Sequence, residues 1–164
     1  MSAILLLGQL LETTGEICGR KKLQKIVHLL QNLKAVPFGY SFQFSFFGPY
    51  SADLKEDVSS LAREKLVLET RSETELGNPY RFAAGEKMRR LLQDVAVASV
   101  EDWAPLAQDL NRRTAEELEG LSTVLFLQKI GWTGGELSEQ FALLKPRLSQ
   151  NFLQYLQALE KLAA

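Results

Sequence analysis

Apolar residues along the first third of the chain recur at helical spacing and then switch to strict alternation. Ile4, Leu7, Leu10 and Leu11 share one stripe of a helix over residues 3–14, and Gly15 ends it. Leu23, Ile26, Val27, Leu30 and Leu33 predict a second helix over 20–34, with Pro37 beyond its end. From Tyr40 to Phe46 aromatic and polar residues alternate, the period-two pattern of a half-buried strand, and Gly48-Pro49 breaks it. Ser51 is placed to cap a third helix, to about Lys65, with Asp53 in its first turn and Leu54, Val58 and Leu61 as its core stripe. Residues 66–70 and 79–82 read as two short strands around a polar tip at 71–78. The prediction is one antiparallel sheet built from 42–46, 66–70 and 79–83.

After Gly85 the pattern is helical throughout. Met88, Leu91, Leu92 and Val95 mark one helix; Trp103, Leu106, Ala107 and Leu110 mark another. Thr114-Ala115-Glu116-Glu117 and Thr133-Gly134-Gly135-Glu136 both fit a capping box, in which a threonine hydroxyl and a glutamate satisfy each other's exposed amides. A last amphipathic helix, about 147–162, follows Pro146 and carries Phe152, Leu156 and Leu159. No internal repeat or flexible linker separates the halves, so they are expected to pack together.

The order helix, helix, strand, helix, hairpin is that of a winged helix, with 51–65 in the place of the recognition helix and 66–82 as the wing. The expected fold is mainly α with a small antiparallel sheet. A winged helix-turn-helix domain over 1–85 is followed by a helical extension over 86–164, packed on it or forming a dimer interface. The segment Gly19-Arg20-Lys21-Lys22-Leu23-Gln24-Lys25, then Phe42–Phe47, then Gly48-Pro49-Tyr50-Ser51, resembles the YwgA-type family of prokaryotic proteins, and more distantly the Panacea antitoxin domain. The resemblance covers roughly residues 1–85 and fades beyond them. It implies a compact winged helix with a role in regulation or phage defence, and no substrate.

Composition narrows the chemistry. With 46% hydrophobic and 24% charged residues and a net charge of −1, the chain is ordinary for a globular protein and has no bulk attraction for nucleic acid or anionic lipid. The single cysteine, Cys18, excludes an internal disulfide and a Cys-rich metal site. The apolar start ends at Gly8-Gln9, too short for a membrane span and without a basic leader, which points to a cytoplasmic protein with no membrane partner. His28, the only histidine, shares the polar side of its helix with Lys21 and Lys25 and is expected at the surface. Cys18 sits beside a helix start, where a thiol can acidify, but reads more simply as a small inert residue. No nucleophile–base pair, metal set or phosphate loop is recognisable, so no enzyme activity and no cofactor is expected.

Charge decides which partner to expect. Residues 51–65 carry three cations against four acids, and residues 69–75 one cation against three, a surface that repels the phosphates on which DNA affinity depends. The basic residues lie elsewhere. Arg20, Lys21, Lys22, Lys25 and Lys34 occur with no acid between Gly19 and Lys34, and Lys87, Arg89 and Arg90 form a smaller cluster. The candidate binding residues are accordingly Arg20, Lys21, Lys22, Lys25, Arg89 and Arg90, against the simpler reading of a solvated helix face. Seven of the chain's aromatics lie between Phe38 and Tyr50 with no Lys or Arg among them, a core pattern rather than a stacking platform for single strands; Phe47 alone falls on the opposite face. The favoured function is a non-catalytic regulatory or interaction protein acting through protein contacts. The alternative is a sequence-specific DNA-binding regulator presenting the basic second helix. Trp103, Phe126, Trp132, Phe141, Phe152 and Tyr155 add the expectation of a homodimer through the last helix.

Overall fold

A computed structural model describes residues 2–71 and 80–164; the predicted wing tip lies outside them, apart from Arg71. The predicted helices form, and their ends follow local chemistry. Helix α1 (Ala3–Thr14) is capped by the Ser2 hydroxyl and stops at Gly15, whose φ of 82° suits glycine. Helix α2 (Arg20–Leu33) follows after the two-residue strand β1 (Ile17–Cys18). Helix α3 (Ala52–Arg63) begins as expected, with the Leu54 amide donating to Ser51 Oγ at 3.2 Å.

The sheet is not the one predicted. Strands β4 (Val67–Arg71) and β5 (Tyr80–Ala84) pair antiparallel, and their third strand is β1, with Ile17 opposite Phe82. The aromatic segment instead folds on itself. Strands β2 (Gln43–Ser45) and β3 (Gly48–Tyr50) make a separate hairpin whose two-residue loop is Phe46-Phe47. Gly48-Pro49 therefore does not end a strand but begins one. Gly48 adopts φ 95°, and a Cβ there would come 3.1 Å from Thr123 Oγ1. Pro49, which has no amide to donate, offers its carbonyl sideways instead.

The second half is α4 (Glu86–Asp94), α5 (Ala104–Arg112), α6 (Ala115–Lys129), α7 (Gly134–Leu144), a 3₁₀ turn (Pro146–Asn151) and α8 (Phe152–Ala163). Of the two expected capping boxes only the first forms, with the Glu117 amide 3.1 Å from Thr114 Oγ1; Thr133 makes no side-chain cap. Helix α6 is the centre of the molecule. Apart from Phe126, residues 118–127 are all buried, and the helix packs on α2, α7, α8 and β3. A mostly apolar helix covered on nearly every side belongs inside a protein. At Gly120 the Tyr155 ring of α8 lies so close that any Cβ would meet it at 2.4 Å. One continuous core runs from Leu6 in α1 to Leu159 in α8, so the two halves share it. Trp103, Phe141, Phe152 and Tyr155, expected at a dimer interface, are buried within the chain's own core.

Candidate functional site

The basic run of α2 was expected to face water, and the structure takes it apart. Every residue from Leu23 to Leu30 is buried, because the segment 40–50 covers one flank of the helix and α6 the other. Gln24 clamps the backbone of Ser51, its Nε2 donating to the carbonyl and its Oε1 accepting from the amide, both at 2.9 Å. Two helical turns further on, Gln31 does the same to Tyr40, at 2.7 and 3.0 Å. Lys25 is 2% exposed, and its ammonium donates to the Pro49 carbonyl at 2.7 Å. The leucine-glutamine-lysine run and the glycine-proline-tyrosine-serine run are thus two halves of one fastening.

Lys25 belongs to a buried polar cluster between α2, the β2–β3 hairpin and α6. Glu119 attracts it, while Lys145 donates to the Phe46 carbonyl at 2.7 Å and lies 3.5 Å from Glu119. Burial pulls the Lys25 ammonium down to about 8 despite Glu119, and Lys145 is also lowered, again chiefly by burial. His28, expected at the surface, is 2% exposed: its Nδ1 shares a 2.6 Å hydrogen bond with Ser122 Oγ and its ring meets Phe42 edge-on at 4.8 Å. Burial, with Lys25 adding to it, lowers its pKa to about 3, so the imidazole is neutral at physiological pH. Glu119, Ser122 and Lys145 escaped the sequence reading, although Glu119, Ser122 and Thr123 stand at helical spacing within an apolar run. Glu119 and Ser122, three residues apart in a buried helix, need partners, and Lys25 and His28, three residues apart on α2, supply them, while Thr123 Oγ1 is left without one.

The remaining predicted binding residues do not form one face. Arg20 pairs with Glu69 at 3.1 Å and stacks on Tyr80 at 3.8 Å; Lys22, half-buried, donates to the Asn111 carbonyl at 2.6 Å. Arg89 pairs with Glu12 at 2.8 Å and Arg90 with Glu86 at 2.7 Å. Only Lys21 projects freely toward the hairpin, its ammonium 3.4 Å from the centre of the Phe47 ring. Cys18 departs from the acidified alternative: burial and the neighbouring Glu16 push its thiol up. Phe46, expected in the core with Phe42 and Phe44, is 84% exposed at the hairpin tip, packed edge-on against the exposed Phe47. The strand periodicity that placed it inside ends at Ser45, where the turn begins.

A pocket of about 250 Å³ opens where α2, α3, the hairpin and the β4–β5 ribbon converge. Its floor is apolar, from Leu23, Leu54, Val58 and Phe82, and Phe47 and Tyr50 wall the hairpin side. Cations from both helices stand at its rim: Arg20 and Lys21 from α2, Lys55 from α3. Its one acid, Glu69, is already bonded to Arg20. Among the described residues no three His, Cys, Asp or Glu side chains converge as a metal set would.

The molecule is thus mainly helical with small antiparallel sheets, its first elements bound to a helical second half across a buried polar cluster and open to solvent at one cationic pocket. No family model matches the chain. It is similar to Uncharacterized protein YwgA of Bacillus subtilis (strain 168), with 29% identity over 147 residues, covering 90% of this chain and 86% of that protein. The likeness therefore continues past residue 85 into the helical half, where the resemblance was expected to fade. No helix among the described residues is long and apolar enough to cross a membrane.

Proposed function

We propose that this chain is a non-catalytic regulatory protein of winged-helix type that works through protein contacts, with the β2–β3 hairpin tip as its contact point. The observation that carries this reading is Phe46. A side chain left 84% exposed while its backbone is fixed by the Ser45–Gly48 turn and by Lys145 is a presented aromatic, not a loose one. Leu143 and Leu144, the two residues before Lys145, are exposed as well and add apolar surface beside that anchor in the sequence. Aromatic anchors rimmed by polar residues are the usual centre of protein interfaces. The competing role, duplex DNA binding, finds less support. The acidic balance of α3 opposes it, and Arg20, Lys22, Lys25, Arg89 and Arg90 are engaged internally.

The test is a photo-crosslinking amino acid at position 46, compared with one at the exposed Leu68 of β4, in the cells that make the protein. One discrete adduct from position 46, competed away by unlabelled wild type and lost with Leu143→Ser, is the expected result. Adducts equal from both positions would overturn the reading. So would tight binding to random duplex at physiological salt that Lys55→Glu with Arg63→Glu abolishes.

A further inference from the structure

We infer that the pocket between α2, α3 and the hairpin is a binding site for a small organic anion with a flat apolar body, such as an aromatic carboxylate. Two observations meet there. The floor of Leu54, Val58 and Phe82 is apolar and concave, and about 250 Å³ lies just under the range usual for ligand pockets, so the occupant is a small molecule rather than a peptide. The rim carries Arg20, Lys21 and Lys55, and Glu69 neutralises only the first of them. Among the described residues no carboxylate pairs with Lys21 or Lys55. Two free ammonium groups over an apolar cleft offer a site where an anionic head stays at the wet rim while its hydrophobic body is buried.

The shape argues for flatness. Phe47 and Tyr50 line the pocket together with Leu54 and Val58 of α3, so a flat ring bound there meets aromatic and aliphatic side chains at once. Lys21, which also lines the pocket, sits over the Phe47 ring with its ammonium 3.4 Å from the ring centre, so the cation is held beside the cleft. Bulk phosphate has the charge but leaves the apolar floor wet; a neutral arene fills the floor but leaves the ammonium groups unanswered. Only a molecule with both parts answers the whole site. Occupancy would bridge α3, β4 and the hairpin. The inference does not depend on the hairpin tip binding a partner protein, and the two fail separately.

The experiment is an amide-resonance titration of the full chain with 2-naphthoate, beside neutral 2-naphthamide and inorganic phosphate. The expected result is saturable shifts centred on Lys21, Phe47, Tyr50 and Lys55 with naphthoate, and affinities at least tenfold weaker for both controls. Lys55→Glu, at an exposed position that folding does not require, should weaken naphthoate at least tenfold, while Lys87→Glu on α4 leaves it unchanged. Equal affinity for naphthamide would overturn the inference by showing a merely greasy cleft. Equal affinity for phosphate would overturn it by showing a simple charge cluster. Shifts that never saturate, or that Lys55→Glu does not alter, would overturn it as well.

Discussion

Acidification should unfold this protein through His28, and the size of the effect can be worked from its surroundings. In the unfolded chain the imidazole titrates near its ordinary value of 6.5; in the fold, burial next to Lys25 lowers it to about 3. The folded pKa is the lower of the two. Stability from the neutral ring is therefore fully present above pH 6.5 and is lost as the pH falls toward 3. At pH 4.5 the unfolded histidine is protonated and the folded one is not, a gap of two pH units below the unfolded value. At about 1.4 kcal/mol per unit this is a loss of roughly 3 kcal/mol, a sizeable part of the 5–15 kcal/mol typical of a domain. Carboxylates titrate in the same range, so the assay is differential: urea unfolding of wild type and His28→Gln at pH 7.0 and pH 4.5. The variant loses the Ser122 hydrogen bond geometry and should be the less stable at pH 7 by about 1–3 kcal/mol. By pH 4.5 the difference should have shifted by about 3 kcal/mol in favour of the variant. A difference constant between the two pH values would refute the claim that His28 is held neutral by burial.

Two further outcomes follow from the same packing. Glu119→Gln leaves Lys25 and Lys145 buried without their counter-charge, and chemical denaturation should show a loss of about 3–5 kcal/mol, whereas removing the exposed partner Glu56 of Arg63 should cost less than about 1 kcal/mol. Because Phe152, Tyr155 and Leu159 are spent on the chain's own core, sedimentation at micromolar concentration should give a monomer; a dimer that Leu153→Ser dissolves would reinstate the last helix as an interface.

Helices and caps were readable because they depend on neighbours in sequence. The stripe Leu23, Ile26, Val27, Leu30 and the Ser51 cap are local statements, and they hold. The errors share one cause. Amphipathic reasoning assigns the polar face of α2 to water, which is right for a helix with one covered side. Helix α2 has two, and its second cover, α6, contacts it across 94 residues of sequence at His28 and Ser122. Lys25 and His28 therefore read as surface residues while serving as buried partners. The hairpin misled for a related reason: alternation tells which residues share a face, but not where the strand turns. Nor does it choose between β1 and the aromatic strand as the third partner of β4–β5. The pocket was out of reach altogether, since Arg20, Lys55 and Glu69 are brought together only by tertiary folding.

The double covering of α2 also sets a timetable for the nascent chain. At about 5–20 residues per second, roughly 5–20 s separate the appearance of His28 from that of Ser122. During that interval the early helix has its hairpin cover at most. The flank destined for α6 stays wet, with Lys25 charged and His28 free to titrate, while Phe46 lacks the Lys145 anchor made 99 residues later. The first half thus leaves the ribosome as an unfinished surface, open to chaperones and proteases until α6 arrives. A stall between α3 and α6 would expose the chain at its stickiest.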